Sequence, residues 1–215
     1  MQRQAMGPKS KSPSSGQGSS SASAGTPDGG LSRETLEGVG RRDPAALAAL
    51  FDRHFERIYG LAFRMMGNRP DAEDVTQEVF LRVHKAAHQL DASRRPGPWL
   101  LAITANVCRE RFRKQKRVID RGSVSLDDDS GLSERLPGSQ QDPAEELQQA
   151  DTEGRVQRAI LALPPDLREV VVLHDFEGMT HEDIAQVVGA GAPAVRKRYS
   201  RALTKLKETL LDVEK

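Results

Sequence analysis

A chain of 215 residues with 29% charged and only 4% aromatic residues carries a formal net charge of +1, a balance that suits small helical units better than a sandwich or barrel. No apolar run approaches the ~18 residues needed to cross a bilayer, MQRQAMGPKS leads into no apolar signal core, and the single Cys108 excludes an internal disulfide and a Cys-paired zinc site. These features point to a cytoplasmic protein with no membrane insertion.

The chain opens on residues 1–40, whose PKSKSPSSGQGSSSASAGTPDGG holds no large apolar residue and cannot offset its ordering entropy. This segment is expected to be a disordered Ser/Gly/Pro-rich tail. A first folded unit is expected over 41–121. DPAALAALFDRHFERIYGLAFRMMG sets Leu47, Leu50, Phe51, Phe55, Ile58, Leu61, Ala62 and Met65 at helical spacing, with Gly67 as the stop. RPDAEDVTQEVFLRVHKAAHQL predicts a second amphipathic helix with Val75, Val79, Phe80 and Val83 on its apolar side. RRPGP then interrupts, and WLLAITANVCRERFRKQKR predicts a third helix, apolar in its first half and basic in its second.

Residues 122–142 lack periodicity and read as an acidic linker. A second unit is expected over 143–215, and since no strand alternation appears, the fold class is all-α: two small helical domains on a flexible joint. Charge follows the same division. Residues 41–121 and 186–211 are basic, whereas 122–152 are acidic, so two basic surfaces flank an acidic strip.

Near the end, THEDIAQVVGAGAPAVRKRYSRA carries a helix-turn-helix pattern. Thr180 with Asp183 three residues on is a capping-box-like start, Gly189 suits a left-handed helix stop, and Pro193 suits the first turn of the next helix. On that last helix Val195, Tyr199, Ala202, Leu203, Leu206 and Leu210 fall on one side, with Lys197, Ser200, Arg201 and Thr204 opposite. A helix buried on one face and basic on the other can enter a major groove; the competing assignment is a solvated basic helix closing a bundle.

Other clusters carry weaker signals. Asp74, Gln77 and Glu78 share a face at i, i+3 and i+4, which fits a metal-dependent nuclease, a solvated surface or a docking face for a partner helix. A catalytic role has no second carboxylate cluster behind it. His84 and His88 are four apart but lack a third zinc ligand, so no metal and no cofactor is assigned. Cys108 reads as a buried small hydrophobe. Trp99 fits a core position and a stacking platform for an unpaired base equally well.

DAEDVTQEVFLRV, WLLAITANVCRERFRK and LPPDLREVVVLHDFEGMTHEDIAQVVGAGAPAVRKRYSRA, in this order and with the acidic joint between, resemble the extracytoplasmic-function (ECF) sigma factors of bacterial RNA polymerase. The resemblance covers roughly residues 45–121 and 143–210. It implies a non-enzymatic initiation factor whose partners are core RNA polymerase, promoter DNA and an anti-sigma factor. By the same resemblance, 41–121 would be sigma region 2 and 143–215 sigma region 4. Asp74, Gln77, Glu78 and Phe80 would dock on the polymerase. Asn106, Arg109 and Arg113 would serve the helix that opens the minus-ten element, with Trp99, Arg94 and Arg95 at its start. Arg196, Lys197, Ser200 and Arg201 would face the minus-thirty-five element. The loop DASRRPGP is stiffer and more basic than the family's usual one. The rival functions are a stand-alone helix-turn-helix regulator and a nucleic-acid enzyme.

Overall fold

The computed structural model of the protein describes residues 30–120 and 143–212. Among them it contains eight α-helices and no strand. The expected acidic linker, 122–142, and residues 1–29 of the expected tail lie outside the described residues.

The last eight residues of the expected tail are instead helix α1, Arg33–Gly40, with the Ser32 hydroxyl accepting from the Thr35 amide at 3.1 Å. Leu36 and Val39 from this helix enter the core. Eight residues with two large apolar side chains give too short a period to be seen in sequence; their burial comes from the helix they lie on.

That helix is α2, Pro44–Met66, started by Asp43, whose carboxylate accepts from the Ala46 amide at 2.9 Å. Gly67 stops it at φ 86° in the left-handed region that glycine alone enters freely. Asn68 at once caps α3, Arg69–Ala86, so α2 and α3 are joined by a two-residue corner and pack antiparallel. Leu50, Ile58, Leu61 and Met65 meet Val75, Val79 and Val83, which recur every fourth residue. Phe51, expected on the apolar side, is 39% exposed, while His54 is buried.

α4 spans Pro96–Asp120, and the RRPGP expected to interrupt belongs partly to its first turn. Prolines cost little there, because first-turn amides have no intrahelical acceptor. Leu100, Leu101 and Cys108 seal the unit, and burial pushes the Cys108 thiol up to about 12.

The second unit comprises α5 (Pro143–Leu161), α6 (Pro165–Val171), a π-helical stretch Val172–Phe176, α7 (His181–Val188) and α8 (Ala192–Asp212). It does not stand apart from the first. α2 packs against α5, α6 and the π-helical stretch, α4 against α6 and α7, and one apolar cluster continues from Leu36 and Leu50 to Ile184 and Val195, beside a smaller one of Leu163, Leu167, Val171 and Ala202.

Candidate nucleic-acid interface

The turn between α7 and α8 is built as its residues dictate. The Thr180 hydroxyl accepts from the Asp183 amide at 3.1 Å and donates to the Asp183 carboxylate at 2.6 Å. Gly189 closes α7 at φ 65°, its amide donating to the Ala185 carbonyl. Val195 and Ala202 then bury one side of α8. Tyr199 fixes its rotation: the phenol donates to Asp175 at 2.7 Å while the ring meets His174 and His181 edge-on. Burial and the Asp175 carboxylate push that phenol up to about 12.

Arg196, Lys197, Ser200, Arg201 and Thr204 all remain exposed. The arrangement presents a basic strip whose members reach away from the bundle, as major-groove reading requires. Arg196 is partly engaged, donating to Glu182 on α7 at 2.9 Å. Leu203, expected in the buried set, lies at the edge of the apolar arc and is 43% exposed.

On α4, Asn106, Arg109 and Arg113 line one cleft of about 630 Å³, whose other wall is α6, α7 and Arg198 of α8. Arg109 hydrogen-bonds Asn106 and donates to the Val187 carbonyl at 2.7 Å. Trp99 is half-buried against the core. Arg94 and Arg95 stand elsewhere, in a smaller cleft with Arg33, Ser93 and the buried His54. The six residues expected at the opening helix therefore divide between its middle, with Asn106, Arg109 and Arg113, and its start, with Arg94, Arg95 and Trp99.

On α3, Asp74, Gln77 and Glu78 line one surface with Glu110, Arg111 and Lys114 of α4. Arg82 makes two hydrogen bonds to the Glu110 carboxylate, at 2.9 and 2.6 Å, and one to Glu78 at 2.7 Å. These bonds raise the Arg82 guanidinium and hold Glu110 low. Arg111 bridges Asp71 at 2.5 Å and Asp74 at 2.9 Å. Burial pushes Asp71 up, but hydrogen bonds from Asn68 and Arg111 outweigh it and leave its carboxyl below the ordinary range.

Phe80 is not on this surface. Its ring lies 4.2 Å from that of Phe51, on the α2 side. The exposed apolar residue among the carboxylates is Leu81, 56% exposed, which the sequence reading missed. Its signal was its spacing, three residues after Glu78 and four after Gln77. His84 and His88 are both exposed. Among the described residues no three His, Cys, Asp or Glu side chains are placed to hold a metal ion, and no helix is long and apolar enough to cross a membrane.

Two family models match the chain: Sigma-70 region 2 over residues 50–118 and Sigma-70 region 4 over 153–206. The ECF RNA polymerase sigma factor SigE of Mycolicibacterium smegmatis is 33% identical over 171 residues, which cover 78% of this chain and 64% of that protein. RNA polymerase sigma factor CarQ of Myxococcus xanthus is 32% identical over 169 residues, covering 79% of this chain and 91% of the relative. Among solved structures, the sigma factor RpoE of Bartonella quintana, crystallised with the anti-sigma factor NepR, shares the fold with a TM-score of 0.61 at 21% identity, over 78% of this chain and 98% of that one.

Proposed function

The chain belongs to the ECF RNA polymerase sigma factors, and from that premise we propose how its residues divide the work of initiation. The protein is a non-enzymatic, reversible subunit that brings core RNA polymerase to a set of promoters and helps to open them. The second unit reads duplex DNA at the upstream element through Lys197, Ser200 and Arg201, with Arg196 joining once it leaves Glu182. The observation that carries this reading is the exposed basic strip on a helix whose opposite side is locked by Val195, Tyr199 and Ala202.

The first unit works on the opened minus-ten element. Asn106, Arg109 and Arg113 supply hydrogen bonds and positive charge along α4, and Trp99 marks its start. Single strands are held by charge along the backbone and by stacking, so Arg94 and Arg95 at the other cleft extend the track. The polymerase docks on Asp74, Gln77, Glu78 and Leu81, an acidic rim around one exposed apolar side chain. Phe80 supports that helix from behind. An anti-sigma factor is the expected regulator, and its partner surface lies on the same two units.

Run-off transcription with purified bacterial core polymerase and a library of promoter fragments tests the function. Specific transcripts are expected only when this protein is added. Tight operator binding by the free protein with no transcript from any fragment would instead make it a stand-alone regulator.

A further inference from the structure

Glu169 of α6 is 4% exposed, and its Oε1 has no hydrogen-bond partner among the described residues. The Arg109 guanidinium stands 3.5 Å away, outside the ~2.7–3.2 Å of a good hydrogen bond. A buried carboxylate left unbonded is costly and calls for a partner. Arg168 Nε and His181 Nε2 are also buried and unbonded, but their surroundings account for them. Arg168 uses its other nitrogens on the carbonyls of Met65, Leu161 and Leu163, and the His181 ring packs against His174 and Tyr199. Glu169 instead lines the cleft between α4 and the second unit.

That cleft, of about 630 Å³, has the size of a small-molecule site, ~300–1,000 Å³. Phe112 of α4 with Val187 and Val188 of α7 gives it an apolar wall, and Arg168 lies over the Phe112 ring at 5.4 Å from its centre. Three guanidiniums, Arg109, Arg113 and Arg198, line it against two carboxyls, Asp166 and Glu169. Arg109 is already engaged by Asn106 and the Val187 carbonyl. Arg113 and Arg198 make no hydrogen bond or ion pair among the described residues. Arg113 stands one turn beyond Arg109, about 6 Å along α4, and Arg198 of α8 is near enough to Glu169 to favour its ionised form. Asp166, exposed at the start of α6, repels an anion on its own side and leaves Arg113 and Arg198 as the anion's place.

The cleft thus combines an apolar wall, a buried acceptor and two uncommitted cations. An ionised carboxylate only accepts hydrogen bonds, so it suits an edge with two N–H groups side by side. Guanine has that edge, N1–H beside the 2-amino group; the other bases set a single donor beside a ring or carbonyl acceptor. We propose that the cleft binds a guanine nucleotide, with the guanine edge on the Glu169 carboxylate, the ring against Phe112 and the valines, and the phosphates on Arg113 and Arg198. A free nucleotide and an unpaired guanine of single-stranded DNA offer this same chemistry. The site needs only the packing of α6, α7 and α8 on α4, so it stands or falls apart from the DNA role of α4. A nucleotide held there touches helices of both units and by mass action stabilises the arrangement it binds.

Calorimetric titration of the full-length protein with GDP, IDP and ADP tests the site, at pH 8, above the value of about 7 to which burial raises the Glu169 carboxyl. GDP should bind tightest. IDP, which lacks the 2-amino group, should bind about tenfold more weakly, and ADP more weakly still. Glu169→Gln replaces two acceptors with one acceptor and one donor, the pair that matches adenine. This variant should lose about tenfold for GDP and gain about tenfold for ADP. A gain can come only from folded protein, and a residue that merely held the fold together would weaken both ligands alike. Arg113→Ala with Arg198→Ala should weaken GDP by about tenfold and leave guanosine unchanged, since only the phosphates are lost as partners. A thymidine oligonucleotide carrying one guanine separates the two sources. Glu169-dependent binding of GDP identifies the free nucleotide, and such binding of the oligonucleotide alone identifies a base of DNA. If neither binds, or if Glu169→Gln leaves the preference among bases unchanged, the guanine site is overturned.

Discussion

Lys197 and Arg201 stand on the same exposed side of α8, yet their chemistry divides their roles. An arginine can present two parallel donors to a guanine edge, a contact worth ~1–3 kcal/mol of discrimination, whereas a lysine ammonium on a phosphate contributes to every sequence alike. Arg201→Ala should therefore flatten base preference at one upstream position. Lys197→Ala should lower affinity evenly and reduce the salt slope by about one. Holoenzyme binding to a set of promoter variants at several salt concentrations distinguishes the two; equal behaviour of both variants across sequences would remove Arg201 from base reading. Arg196 is the residue whose part could not be read from spacing, because Glu182 holds it across the turn. Thr180 and Gly189 were fully legible, since a cap and a left-handed stop depend only on local backbone geometry.

At the scale of the element, α3 shows where periodicity decides a side chain's place and where packing must. Stepping 100° per residue from Asp74, Leu81 falls between Gln77 and Asp74, whereas Phe80 falls midway between Val83 and Gln77. The pattern alone sets Leu81 on the acidic face and leaves Phe80 at its border; the contact of the Phe80 ring with Phe51 decides its side. The separation has different consequences for the two residues. Leu81→Ser touches a side chain 56% exposed, so stability should stay within about 0.5 kcal/mol while capture of core polymerase falls. Phe80→Ala loses a half-buried ring against Phe51, and about 1–2 kcal/mol of stability should go with it, less than the ~3–5 of a fully buried phenylalanine. Thermal melting alongside a polymerase pull-down reads both. If Leu81→Ser retains polymerase fully, the exposed leucine is not part of the docking surface. Helix α1 was hidden for the opposite reason, being too short to display a period at all.

At the scale of the whole molecule, the helices were legible and their closure was not. Arg57, Arg168, Glu169 and Glu177 carry no local signal of burial, and Arg57 meets a partner 120 residues away. Nothing local announces such a pairing, because it depends on how two finished units meet. Glu169, buried on α6, gives the stability of the folded state a pH dependence. Burial raises its carboxyl to about 7 from 4.5, against the pull of Arg109 and Arg198 and with a push from Asp166. The Arg109 pair at 3.5 Å is loose, and Glu169 Oε1 has no hydrogen-bond partner, so burial outweighs it. A carboxyl whose folded value lies above its unfolded one contributes stability that is complete below pH 4.5 and is lost as the pH rises through about 7. Asp71, shifted downward, acts only below its ordinary 3.8 and leaves this window untouched. The folded state should therefore be less stable at pH 8 than at pH 5.5, by on the order of 1–3 kcal/mol. Glu169→Gln is neutral at both values and should remove that part of the difference. Melting curves at the two pH values, compared between wild type and Glu169→Gln, measure it. An identical pH response in the two proteins would mean that Glu169 is ionised throughout and that Arg109, at 3.5 Å, offsets the cost of its burial.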